Sequence, residues 1–279
     1  MDFKKIERIF LLAFFFLNLF LLYTYRQGMS NDSAGLTESS HLNNIEQRLQ
    51  VDNIKFPAAF SNEIHDGYYL SGIKSDEGDM TNFKLDGEIF SLDSGKMQVN
   101  LNKSVVVPKS KKESLKTMKE LVKQPHLVPY GGEYQYQGIL SDLPHKYVFT
   151  QQYNGIPIID ETSLLTINVD KDSEFGDNSL VNSYTQSHLR EIEALRESQP
   201  LITERDAVTT LYLSNKIPKD ARLNNIKLGY TRIFSVRGKN VYIPAWFVWI
   251  ETSKKNSQIE RVNAFTNSII STSVTEVNK

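Results

Sequence analysis

Residues 203–212, TERDAVTTLY, and residues 241–251, VYIPAWFVWIE, decide the fold. Thr203 stands three residues before Asp206, the spacing at which a hydroxyl accepts from a first-turn amide while the acid reaches back to the cap. Ala207, Val208, Leu211 and Tyr212 then recur at three- and four-residue steps, which predicts a capped helix with one apolar face. The second segment is dense in Tyr, Val, Ile, Trp and Phe, as a strand buried on both faces would be. An apolar helix stripe and an apolar strand need each other for cover, so the class is α+β. Within the second segment, Tyr242, Trp246, Phe247 and Trp249 read either as core under the helix or as an aromatic patch for a ligand such as a wall fragment, with a bulge at Pro244 deciding how they divide between faces.

Working outward, Ser110-Lys-Lys-Glu113 repeats the capping pattern ahead of Leu115, Met118, Leu121 and Val122. Each helix is followed by a proline and three strand-like segments: Pro125 with residues 134–139, 147–159 and 164–169, and Pro218 with residues 228–236, 241–250 and 259–265. Turns are expected at Gly131-Gly132, Asn154-Gly155, Arg237-Gly238 and Lys254-Lys255-Asn256. Ser110 to Thr203 and Pro125 to Pro218 are the same step of 93 residues, as a diverged duplication would leave. Residues 97–107 and 180–189 add a strand before each helix, and the charged stretch after the latter is expected to be helical. Residues 68–74 and 83–91 are assigned to the first lobe.

The N-terminus carries a different signal. Residues 9–25, IFLLAFFFLNLFLLYTY, reach roughly 25 Å at about 1.5 Å per residue, near the short end of a bilayer span. Lys4, Lys5 and Arg8 precede it and only Arg26 follows closely, so the N-terminus is expected in the cytoplasm and the remainder outside, with the protein in the cell membrane as a single-pass chain. A cleaved signal peptide is the competing reading, but it would end in small residues and this run ends in Tyr23, Tyr25 and Arg26. Asn18 lies near the centre, with Phe14, Phe15, Leu21 and Leu22 at three and four residues from it. Its amide either bonds a neighbouring membrane helix or is tolerated alone, and these five residues are the candidate partner-binding face. Residues 27–40 read as a stalk, and 41–54 as a short amphipathic helix. The expected organisation is therefore a cytoplasmic N-terminus (1–8), a transmembrane helix (9–25), a stalk with a short helix (26–52) and two similar lobes, 53–175 and 176–279, each an antiparallel β-sheet with a helix packed across it.

A formal charge of −1 argues against a phosphate-neutralising nucleic-acid binder, and the absence of Cys removes disulfides, thiolate zinc sites and thiol catalysis. The five His residues, at 41, 65, 126, 145 and 188, are scattered with no metalloprotease spacing. Ser71-Gly-Ile-Lys74 matches S-x-x-K but lacks its companion elements and sits in a strand pattern. Asp170, Asp172, Glu174 and Asp177 miss the glycine and terminal Glu of a calcium loop, and like Asp76, Glu77 and Asp79 they read as a solvated turn. No catalytic, cofactor-binding or metal site is expected.

Met1-Asp2 with its basic lead, Ile9-Phe10, Leu17-Asn18-Leu19-Phe20-Leu21, Pro244-Ala245-Trp246 and Val262-Asn263-Ala264-Phe265-Thr266 together resemble the YycI (WalI) family. The TERDAV helix start and the VNAFTNSII close are also similar to PepSY-type propeptide domains. The resemblance implies a non-enzymatic Firmicute membrane protein that acts with a YycH-type protein on a WalK-type sensor histidine kinase and so on cell-wall metabolism, its membrane helix taking part in the contact. The PepSY likeness implies an alternative, a tethered protease inhibitor or folding assistant.

Overall fold

The computed structural model describes residues 8, 10–22, 45–93, 95–171, 179–252, 256–271 and 275–277. It is a mixed α+β structure whose sheets are mainly antiparallel, and it divides into residues 1–54 and 55–279.

In the first unit, residues 10–22 are helical and exposed throughout. Among the described residues no helix is long and apolar enough to cross a membrane. The helical stretch 10–22 reaches about 20 Å against a hydrocarbon core of about 30 Å, so the expected 9–25 span is not seen as such. Residue 9 and residues 23–25 lie outside the described residues, as do the stalk and the start of the short helix. That helix runs Ile45–Val51 with Ile45 and Leu49 buried.

The second unit holds two principal sheets. The first is ordered Gly87–Asp93, Lys96–Val107, Ser179–Ser187, Leu164–Asn168, Lys146–Thr150, Gln135–Tyr136, with Asp170–Lys171 beside Ser179–Ser187. The second is ordered Leu189–Ala194, Leu70–Lys74, Lys239–Glu251, Arg222–Val236, Thr275–Val277, with Ser257–Asn263 beside Lys239–Glu251. Within it Arg222–Val236 pairs in parallel with Thr275–Val277. Both sheets contain a helix followed by a three-stranded antiparallel meander: Lys111–Val122 then 135–136, 146–150 and 164–168, and Glu204–Leu213 then 222–236, 239–251 and 257–263.

The helices form for the reasons their spacing suggests, with one exception. Thr203 Oγ1 accepts from Asp206 N at 3.2 Å and Asp206 Oδ2 accepts from Thr203 N at 3.0 Å, a closed capping box, and Ala207, Val208 and Leu211 are buried. Ser110 caps Lys111–Val122 without any side-chain hydrogen bond, so the predicted box there does not form. Met118, Leu121 and Val122 nevertheless enter the first core with Met97, Val99, Tyr147, Phe149 and Tyr184. Tyr242, Trp246, Phe247 and Trp249 are all buried, and Trp246 Nε1 donates to Ile202 O at 2.9 Å. They are core and not a ligand patch. The strand that carries them runs unbroken past Pro244, and the register shifts lie in its partner, at Leu223/Asn225 and Arg232/Phe234.

Two expectations fail at the level of sheet membership. Leu70–Lys74 belongs to the second sheet, between Leu189–Ala194 and Lys239–Glu251, and Ser179–Ser187 belongs to the first, between Lys96–Val107 and Leu164–Asn168. The sheets thus exchange a strand each way, and a division at 175/176 does not follow them. The charged segment after residue 189 is a strand, Leu189–Ala194, because pairing with Leu70–Lys74 outweighs its helix-favouring composition. The strand predicted over 134–139 shrinks to Gln135–Tyr136, with residues 138–140 in a 3₁₀ turn, while Asn154-Gly155 and Arg237-Gly238 take the paired positive φ angles that a tight hairpin needs.

Candidate functional site

Phe14, Phe15, Leu21 and Leu22 are each more than half exposed, and Asn18 is exposed among them. A helix places Asn18 one turn from all four, so they share a face. The Asn18 amide does not reach outward: Nδ2 donates to Phe14 O, one turn back along the same helix, at 2.8 Å. That bond removes much of the cost of an amide in an apolar setting. Phe15 meets Phe16 edge to face at 6.1 Å.

The second cluster was not visible in the sequence. Where the chain leaves Ser179–Ser187 of the first sheet for Leu189–Ala194 of the second, His188 is the single residue between them. Its Nδ1 lies 2.7 Å from Ser75 Oγ and its Nε2 2.9 Å from Glu133 Oε2, an arrangement satisfied by the Nε2–H tautomer with Ser75 donating. Ser75 N also donates to His188 O at 2.9 Å. Gln151 completes the cluster: Nε2 donates to Glu133 Oε2 at 2.9 Å and to Leu189 O at 2.8 Å, while Oε1 accepts from Leu189 N at 2.8 Å. Tyr130 stacks on the imidazole, and Tyr134 Oη donates to Ser187 O at 2.5 Å.

Local structure explains how each group arrives there. Ser75 follows Leu70–Lys74 and precedes a short helix, Glu77–Thr81, whose capping box joins Asp76 and Asp79. Asp76 and Asp79 are therefore a helix cap and not a loose turn, and Asp79 Oδ2 also pairs with Arg190 Nε at 3.1 Å. Glu133 ends the 3₁₀ turn Gly131–Glu133, which nests against the last turn of Lys111–Val122. A Cβ on Gly131 would fall 1.7 Å from Val122 O, so only glycine allows that approach. The hydrogen bond from His188, opposed by partial burial, holds the Glu133 carboxyl below the usual carboxylate range. Burial pushes the hydroxyls of Tyr134 and Tyr184 well above the ordinary tyrosine value.

Serine, imidazole and carboxylate in sequence invite comparison with a hydrolase relay. A nucleophile must meet its substrate, yet Ser75 is 1% exposed and His188 2%, both closed in by backbone and rings. The cluster is a tie between the two sheets. Ser71 of the S-x-x-K match is likewise buried within Leu70–Lys74, paired on both sides. Among the described residues no group of three or more His, Asp or Glu side chains could hold a metal ion. Residues 172–178, with most of the acidic run near Asp170, lie outside the described residues.

With this geometry in hand, comparison with known proteins defines the class. The family described as YycI protein matches residues 34–265, starting beyond the helical stretch 10–22. The chain belongs to the YycI family, a family of regulatory accessory proteins of two-component systems that is not known for enzymes. No curated protein matches it. Among solved structures it is similar to an uncharacterized protein from Eubacterium rectale ATCC 33656, at 10% identity over 80% of this chain and 92% of that chain, with a TM-score of 0.47.

Proposed function

We propose that this chain is a non-enzymatic, membrane-anchored regulator that associates with a YycH-type protein and a WalK-type sensor histidine kinase and modulates the kinase, and through it cell-wall metabolism genes. Membership of the YycI family over residues 34–265 carries this reading. It is supported by the apolar side chains of residues 10–22, which stay exposed and would need lipid or other helices to cover them. In this proposal the N-terminus is cytoplasmic, the remainder extracytoplasmic, and the face formed by Phe14, Phe15, Asn18, Leu21 and Leu22 meets partner helices. The mechanism is differential contact: the regulator binds one kinase state better than the other and shifts their populations by that difference.

The test replaces residues 9–25 with an unrelated apolar span of equal length and reads two quantities, co-purification with the kinase and expression of its regulated genes. Loss of both supports helix-to-helix recognition. Unchanged values remove the N-terminal helix from the mechanism.

A further inference from the structure

A cleft of about 280 Å³ opens between the two sheets, lined by Lys74 of the second sheet, by Lys96, Thr166, Thr185 and Ser187 of the first, and by Glu161. Thr185 and Ser187 are two residues apart on one strand and so share a face. Thr166 is the register partner of Thr185, and Lys96 that of Ser187. Three hydroxyls and an ammonium therefore stand on one contiguous patch of sheet, with Lys74 facing it from the other sheet. Neither lysine is ion-paired among the described residues, and Glu161 is engaged elsewhere, with Arg232 Nη2 donating to Glu161 Oε1 at 2.7 Å.

Lys74 is also held in place. It is half-buried, and its stem lies across Gly95, whose φ is +71° and where a Cβ would fall 3.0 Å from Lys74 Cε and 2.8 Å from Ser75 O. The two ammonium groups share this cleft with three hydroxyls, and donors of both kinds have room there to bond an acceptor. An oxyanion suits both kinds of donor, through charge-assisted hydrogen bonds to the ammonium groups and neutral ones to Thr166, Thr185 and Ser187. The volume lies just below the usual range of ligand clefts, about 300 to 1,000 Å³. It suits a small molecule.

We infer that this cleft binds a small oxyanion-bearing molecule, phosphate or carboxylate, between Lys74 and Lys96. Such a ligand contacts both sheets one residue away from the Ser75–His188 tie, so its binding is linked to how the sheets are held. The site does not depend on the regulatory reading. If that reading holds, the cleft gives the regulator a chemical input.

The test titrates the full chain in detergent micelles at low ionic strength with three probes, inorganic phosphate, glucose 6-phosphate and glucuronate, each followed by calorimetry and by the rise in melting temperature. Saturable binding of at least one probe is expected, weakened about tenfold or more in the Lys74→Gln/Lys96→Gln double variant. The same charge change on the outer helix face, Lys112→Gln/Lys116→Gln, should leave it unchanged. Preference for the two phosphates over glucuronate, or the reverse, identifies which oxyanion the site takes. Absence of saturable binding by all three probes overturns the inference, as does an equal loss in the helix variant, which would reveal general charge attraction. If the double variant does not fold, Lys96→Gln alone carries the comparison, because Lys96 is exposed and can change without disturbing the core. Kinase regulation plays no part in these readouts, so failure here is separate from failure of the proposed function.

Discussion

His188 stacks flat on Tyr130, ring centroids 4.0 Å apart and planes 7° from parallel, at the residue where the chain passes from one sheet to the other. The imidazole is thereby held by a ring on its face and by hydrogen bonds at both nitrogens. His188→Phe keeps the ring and removes the bonds, leaving the Ser75 hydroxyl buried without its partner. The expected loss is about 1–3 kcal/mol, seen as a lower urea midpoint at unchanged slope. An unchanged midpoint would mean that the hydrogen bonds at this junction do not contribute.

Glu133 makes stability depend on acid. Its folded-state pKa lies below the ordinary carboxyl value of 4.5, chiefly through the bond from His188, so between those two values the unfolded chain binds more protons than the folded one. The contribution is complete above about 4.5 and is lost as the pH falls through the folded value. Solvent screens a side chain that is 51% exposed, so the amplitude is small. Denaturation across a pH series should show Glu133→Gln with a shallower acid limb than the parent. Superimposable acid limbs would contradict this.

The two helix starts are predicted to behave differently although their sequences look alike. Thr203→Ala opens a closed capping box and should cost about 1 kcal/mol, whereas Ser110→Ala removes no hydrogen bond and should stay within about 0.5 kcal/mol of the parent. Thermal or chemical denaturation of the two variants side by side checks the contrast. Equal losses would reject it.

For the proposed partner face, Asn18→Leu should weaken association by less than about 1 kcal/mol. The amide already has an acceptor in Phe14 O and would have to exchange it to bond a neighbour. Energy transfer between labelled partners in bilayers measures the effect. A loss well beyond that bound would mean that Asn18 turns outward in the complex.

What the sequence disclosed and what it hid divide by distance along the chain. Ala207, Val208 and Leu211 announce their helix because its period is contained in ten residues. Lys239–Glu251 announces itself by an apolar run too dense for anything but a strand covered on both faces. By contrast, Leu189–Ala194 reads as a charged helix until its partner is known, and that partner, Leu70–Lys74, lies more than a hundred residues earlier. Ser75 and His188 are 113 residues apart and Glu133 and His188 55, so no spacing within a motif could bring them together. Ser110 shows the opposite failure, a correct local pattern whose hydrogen bond does not form. Of the candidate sites, the residues of the 10–22 face could be named in advance, because one helix supplies all of them. The cleft at Lys74 and Lys96 could not, because two sheets build it.

The exchange of strands also constrains the order in which the molecule can be assembled. Synthesis begins at the N-terminus, so Leu70–Lys74 is made long before residues 189–194 and 239–242, between which it comes to lie. Throughout that interval the nascent segment has no neighbour for its backbone amides and carbonyls, and such a segment is a site for pairing with a stranger. Whatever escorts the unfinished polypeptide must shield those few residues until nearly the whole chain has emerged.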